Sequence, residues 1–93
     1  MEIGEFVRIM EALAPPELAE EWDSEKIGLV VEGTPEVEKI CCALDATPET
    51  VGQAVSQSAD MLVVHHTPLW TPVTAFRGPL ASLLRKAISS GMN

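Results

Sequence analysis

The spacing of hydrophobic and polar residues predicts that the chain opens with an amphipathic helix. Apolar side chains recur at intervals of three and four between Ile3 and Leu13, the period expected when one face of a helix packs against a core. Pro15 and Pro16 end this helix, and Pro16 is well placed to begin a short second helix that reaches Glu21.

Apolar runs of strand length follow. Residues 27–31 predict a first strand, which ends before a turn at residues 33–35. Residues 37–44 predict a second strand that alternates at first and then becomes fully apolar. Residues 61–64 predict a third, bounded by a polar residue and a proline. The continuous apolar stretches of the second and third strands are typical of strands that are covered on both faces.

The segment between the second and third strands predicts a helix. Thr47 is placed as its N-cap, Pro48 as its first residue and Glu49 just inside, and the pattern frays near Ser58. A connection of this length through a helix makes the two strands parallel, with a right-handed crossover. The predicted fold class is therefore α/β, with a β-α-β parallel unit, a small sheet and flanking helices.

A last helix is predicted near the end of the chain. It runs from about Pro79 to Ile88 and has Arg85 and Lys86 in its last turn or so. Gly91 lies where a C-terminal glycine cap belongs.

The two histidines of the chain, His65 and His66, are adjacent at the end of the third apolar run. A sheet would hold them rigidly while leaving them open to the loop beyond, which is where α/β proteins bind ligands. Neutral imidazole is a common metal ligand, so the pair predicts a metal site; the alternative is two half-exposed histidines without a role. Since parallel strands end at the same sheet edge, Asp45 would share this pocket, or else act only as a turn residue.

Composition and charge indicate which partners and which cellular location to expect. Fourteen acidic against six basic residues give a net charge of −8, which argues against binding the phosphate backbone of a nucleic acid. No apolar run approaches the roughly 20 residues of a membrane span. Acidic residues at positions 2 and 5 stand where a secretory signal would carry basic ones. We therefore expect a cytoplasmic protein with no nucleic-acid or membrane partner.

The positions of the cysteines and tryptophans indicate structural roles. Cys41 and Cys42 are neighbours on a predicted strand, so their side chains point to opposite faces. They are interpreted as reduced core residues of a cytoplasmic protein, with a redox role as the alternative. Trp22 and Trp70 could stack on a ligand, but tryptophan in a small domain more often fills a core or an interface.

Four stretches resemble, in order, those of one protein family. They are LAPPELA at residues 13–19 with Trp22 and Asp23, IGLVVEG at 27–33, ALDAT at 43–47, and ADMLVVHH at 59–66. The chain resembles the Nif-three-like proteins (NGG-interacting factor three), also called GTP cyclohydrolase I type 2 homologues. The resemblance covers nearly the whole chain and about the first third of a full-length member. Residues 1–93 are thus expected to be a single domain or the N-terminal part of one.

The resemblance implies a metal-dependent hydrolase. Family members are α/β metalloproteins that hold two divalent metal ions (zinc, iron or manganese) per site and assemble into toroidal hexamers. His65 and His66 match the adjacent histidines that supply part of the coordination, and Trp22 and Asp23 match a segment near the pocket. The resemblance implies a hydrolytic step on a small molecule or a nucleotide, and a homo-oligomeric assembly.

The chain departs from the family in two places. Residues 24–27 lengthen the loop after Asp23, and Ser24 replaces an asparagine. The family's further ligands, an aspartate, a histidine and a glutamate, lie later in the chain, and residues 67–93 contain none of these residue types. We therefore expect an incomplete, inactive metal site in the 93 residues and self-association, most simply as a dimer that pairs sheet edges or helix faces. The alternative is a non-enzymatic oligomerising or protein-interaction domain with relic histidines.

Overall fold

The computed structural model describes residues 1–23 and 26–93. Three α-helices and two strands follow one another in the described residues, with a 3₁₀ turn after the first helix. In order they are α1 (Ile3–Leu13), the 3₁₀ turn (Pro16–Leu18), β1 (Ile40–Asp45), α2 (Pro48–Ser56), β2 (Met61–His66) and α3 (Gly78–Ser90). Strands β1 and β2 pair directly and in parallel, and α2 connects them along the chain. The predicted α/β class and β-α-β unit are therefore confirmed.

Helix α1 has the predicted bounds but buries none of its residues. Main-chain hydrogen bonds anchor its start instead. Val37 N donates to Met1 O at 2.7 Å, and Ile3 N donates to Pro35 O at 2.9 Å. On the apolar side of α1, Ile3, Phe6 and Val7 are half-buried, whereas Met10 and Leu13 near its end are exposed.

Two predictions before β1 are wrong. The short second helix is only the 3₁₀ turn Pro16–Leu18 and does not reach Glu21. Residues 27–31 form no strand, because Gly28 has φ +101°, a left-handed conformation that interrupts an extended run. The predicted loop insertion begins at Ser24, which lies with Glu25 outside the described residues.

Strand β1 is shorter and more exposed than predicted. It begins at Ile40 rather than at residue 37, because the N–H groups of Glu38 and Lys39 donate to the carboxylate of Asp60 instead of to a strand. Exposure then alternates along β1, so only one face is covered and the prediction of burial on both faces is wrong. Cys41 packs towards the core while Cys42 is exposed, so the two neighbours lie on opposite faces as expected, but the interpretation of Cys42 as a core residue is wrong.

The core lies between the two later helices. Helix α2 begins as predicted, since Thr47 and Thr50 form a reciprocal capping box with Pro48 in the first turn. Helix α3 ends at Gly91, whose φ of 71° is the left-handed cap conformation. A buried cluster joins the two helices and the residues that follow them: Val51, Ala54, Ala59, Leu83, Ala87 and Met92.

Helix α3 extends to Ser90, so Arg85 and Lys86 lie before the last turn, contrary to the prediction. Lys86 Nζ instead donates to Pro48 O at 3.1 Å, which ties α3 to the start of α2. No helix in residues 1–23 and 26–93 has the length and apolarity needed to cross a bilayer.

The end of the chain holds the start of β2 in place. Asn93 N donates to Asp60 O and Leu62 N donates to Asn93 O, both at 2.9 Å. The side chain of Asn93 also accepts from Gly33 N at 2.6 Å and donates to Thr34 O at 2.8 Å. We call residues 33–34 together with residues 91–93 the clasp. It fixes one end of the strand whose other end carries the histidines.

Candidate metal centre

The strand register brings Asp45 and His66 together. They are register partners at the carboxyl ends of β1 and β2, as the parallel β-α-β topology predicts. His66 Nδ1 lies 2.8 Å from Asp45 Oδ1, and both side chains are about half exposed. The predicted proximity of Asp45 to the histidine pair is therefore present in the structure.

The rings of His65 and His66 lie side by side, although successive side chains along a strand normally point to opposite faces. Their centroids are 4.8 Å apart and the rings are tilted by 52°. His65 is exposed and His66 is half-buried. The last two positions of β2 thus present two imidazoles together at the open edge of the sheet.

Trp70 is a neighbour of the pair that the sequence did not indicate. Its ring centroid lies 5.9 Å from that of His66, and Lys26 Nζ lies 5.8 Å from the Trp70 ring, within the range of a cation–π contact. Trp70 is 57 % and Trp22 is 70 % exposed, so neither is a core residue of the described chain. The sequence feature that could have indicated this contact is the position of Trp70, four residues after His66 in a proline-containing segment.

Trp22 and Asp45 border different clefts. Asp45 lines an open cleft of about 310 Å³ with Thr67, Trp70 and the start of α3. Trp22 lines a second cleft of about 360 Å³, which also includes Thr67. Asp23 lines neither; its main-chain oxygen accepts a hydrogen bond from Lys26 N at 2.8 Å. The structure therefore joins Asp45, His65 and His66 in one group and places Trp22 beside a neighbouring cleft.

The ligand types in this group suit a divalent metal, but the number of ligands is too small for a complete site. Imidazole nitrogen is a ligand for zinc, iron and manganese alike, and two imidazole rings lie next to each other here. Within residues 1–23 and 26–93, however, no cluster of three or more His, Cys, Asp or Glu side chains could hold a metal ion. A bound metal would need further ligands from water or from another part of an assembly.

Comparison with known proteins identifies the family. The model of the Duf34/NIF3 family (NGG1p interacting factor 3) matches residues 1–93. The chain belongs to the DUF34/NIF3 family. Among its curated relatives, this DUF34/NIF3 chain is 44 % identical over 71 residues to a GTP cyclohydrolase 1 type 2 homolog of Pyrococcus abyssi, covering 76 % of the chain and 28 % of that protein. A homolog of the same name from Streptomyces coelicolor is 41 % identical over 91 residues, covering 90 % and 31 %.

Solved structures show the same fold. Reduced HcgD from Methanocaldococcus jannaschii superposes with a TM-score of 0.90 at 30 % identity, covering 99 % of this DUF34/NIF3 chain and 37 % of that one. TTHA1606 from Thermus thermophilus superposes with a TM-score of 0.88 at 27 % identity, covering 99 % and 38 %. The predicted family and fold are thereby confirmed. The chain spans under a third of the length of these two curated relatives.

Proposed function

We propose that this chain binds a divalent metal ion through His65 and His66 as part of a DUF34/NIF3 metalloprotein. The observation that carries the proposal is the adjacency of the two imidazole rings at the carboxyl end of β2, with centroids 4.8 Å apart. Zinc, iron or manganese would suit these nitrogen ligands. A bound metal would supply Lewis-acid polarisation of a substrate oxygen and activation of water, which is the chemistry of hydrolysis.

The chain's own residues define how far this chemistry goes. Two imidazoles provide two of the three protein ligands that a catalytic zinc site normally has. We therefore propose weak single-metal binding by the 93 residues alone, no hydrolytic activity in isolation, and a two-metal hydrolase site in a protein of the relatives' length. The substrate class we propose is a small molecule or a nucleotide, which the name of the relatives supports. The unpaired state of both cysteines supports a cytoplasmic location.

Equilibrium dialysis against Zn²⁺ tests the metal proposal. We expect about one zinc per wild-type chain and at least a tenfold loss of affinity in His65→Ala and in His66→Ala, since each removes one ligand. Cys42→Ala is the matched control, because its exposed thiol is the strongest competing zinc ligand outside the pair. Absence of zinc from the wild type, or affinity unchanged in both histidine variants, would reject the proposal.

A second candidate function is assembly, and the exposed face of β1 favours it. Ile40 is 41 % and Leu44 is 60 % exposed, and both lie on the face that no described helix covers. Exposed apolar strand surface promotes pairing with another chain. In this alternative the chain is a non-enzymatic oligomerising or protein-interaction domain and the histidines are relics.

Sedimentation equilibrium tests assembly into a homo-oligomer. We expect a mass above the 10.0 kDa of one chain, reduced towards the monomer by Ile40→Lys, which places a charge on the open face far from Asp45. Ile88→Lys, at an exposed position of α3, is the control and should leave the mass unchanged. A wild type that stays monomeric at high concentration would reject this candidate.

A further inference from the structure

We propose that Asp45 is a positioning residue for His66. Its carboxylate fixes the imidazole as the Nδ1–H tautomer, so that Nε2 is the atom that faces a metal. The inference rests on the proposed metal-binding function and assigns Asp45 a different role from that of a third ligand.

The tautomer follows from the contact between the two side chains. An ionised carboxylate only accepts hydrogen bonds, and a neutral imidazole carries one N–H. At 2.8 Å between Asp45 Oδ1 and His66 Nδ1, the proton must therefore lie on Nδ1, and Nε2 keeps its lone pair. The opposite tautomer would direct the Nδ1 lone pair at a negatively charged oxygen.

The same contact assigns the Asp45 carboxylate to His66 Nδ1 rather than to a metal. Because Nδ1 and Nε2 point away from the ring in different directions, His66 would hold a metal through Nε2 while Nδ1 stays on the carboxylate. Metal-binding histidines commonly donate their second ring N–H to a carboxylate, which fixes ring orientation and raises the basicity of the ligand. The Asp45–His66 pair reproduces this arrangement.

The backbone around Asp45 is held in place by the first turn of α2. Thr50 Oγ1 donates to Asp45 O at 2.7 Å and also accepts from Thr47 N at 2.9 Å. The helix cap and the strand register therefore fix the same residue from two sides. A carboxylate on such a backbone can hold an imidazole in one orientation.

His65 provides an internal comparison. Its ring contacts that of His66, but its imidazole nitrogens make no hydrogen bond with the described residues 1–23 and 26–93. The proposal therefore predicts an asymmetry within the pair: one fixed tautomer at His66 and a mixture at His65.

Two-bond ¹H–¹⁵N spectra of the metal-free protein measure the tautomer of each histidine directly. We expect the Nδ1–H pattern at His66 and a mixed pattern at His65. Asp45→Ala should make His66 resemble His65, whereas Asp45→Asn keeps an acceptor oxygen and should preserve most of the Nδ1–H form. A mixed tautomer at wild-type His66, or one unchanged by Asp45→Ala, would overturn the proposal.

Co²⁺ absorption provides the second readout. Positioning predicts a 10- to 100-fold weaker affinity in Asp45→Ala with the same visible bands at saturation, since the ligands themselves are retained. A direct carboxylate ligand predicts changed bands at saturation in both Asp45→Ala and Asp45→Asn, which would overturn the proposal. Glu49→Gln, at an exposed position of α2, is the control for loss of one negative charge.

The two readouts separate this inference from the metal-binding proposal. A fixed His66 tautomer that Asp45→Ala releases, in a wild type that binds no Co²⁺, would support positioning and reject the proposed metal function. Co²⁺ binding with a mixed tautomer at His66 would support the metal function and overturn the positioning role.

Discussion

Gly33→Ala should destabilise the protein severely, because within the clasp Gly33 lies directly against the backbone of Gly91 and Met92. A Cβ atom at this position would lie 2.2 Å from Gly91 O, 2.6 Å from Gly91 C and 2.8 Å from Met92 C. All three are main-chain atoms, so no side-chain rotation can relieve the contact. The two segments would have to separate by about 1 Å to reach an ordinary van der Waals distance.

Separation on that scale breaks the bonds that hold the clasp. Thr34 N to Gly91 O is 2.7 Å and Gly33 N to Asn93 Oδ1 is 2.6 Å, and Met92 between them is almost fully buried. Steric overpacking costs about 1–3 kcal/mol, and each lost hydrogen bond costs about 1 kcal/mol. We expect a loss of about 3–5 kcal/mol, a large part of the ~5–15 kcal/mol that stabilises a domain.

Thermal and urea unfolding followed by circular dichroism at 222 nm measures this loss. The expected fall in Tm is roughly 12–40 °C for a domain of this size. Gly52→Ala in α2 is the matched control: its Cβ would meet only the end of Lys86, at 3.5 Å, and the change should stabilise by about 0.5–1 kcal/mol. A Gly33→Ala protein as stable as the wild type would refute this account of the clasp.

Two further substitutions test side chains that accept hydrogen bonds from the backbone next to the strands, Thr47 after β1 and Asp60 before β2. Thr47→Ala removes the side-chain acceptor of the α2 cap, and we expect the free energy of unfolding in urea to fall by about 1 kcal/mol. Thr74→Ala, at an exposed position, is the control and should leave that free energy almost unchanged. Equal effects of the two substitutions would contradict the capping role. Asp60 accepts from the N–H groups of Glu38 and then Lys39, which lower its pKa below the ordinary 3.8. Because the folded-state pKa is depressed, the ionised carboxylate stabilises the protein at neutral pH, and this contribution is lost as the pH falls below 3.8 and through the folded-state pKa. Asp60→Asn should therefore be less stable than the wild type at pH 7, with the difference narrowing on acidification; a pH-independent difference would contradict this reasoning.

Local signals in the sequence predicted the elements that local chemistry decides. The cap at Thr47, the glycine end of α3 at Gly91 and the parallel delivery of Asp45 beside His66 each follow from a short pattern or from topology. The structure contains all three.

Features that depend on distant partners were not predictable in the same way. Residues 27–31 have strand composition, but Gly28 takes a left-handed conformation and no strand forms. The apolar run of β1 suggested burial on both faces, yet helices cover only one, because apolar composition does not report which neighbours are present. The proximity of Trp70 to His66 depends on the course of an irregular loop, which hydrophobic periodicity does not encode.

The most direct test of the metal-binding claim is the metal content of protein purified without added metal or chelator, measured by plasma emission for the wild type and for the double variant His65→Ala/His66→Ala. The account predicts a zinc, iron or manganese content in the wild type that is clearly above background, approaches one ion per chain, and disappears in the double variant. Metal at background in both proteins, or equal metal in both, would contradict it.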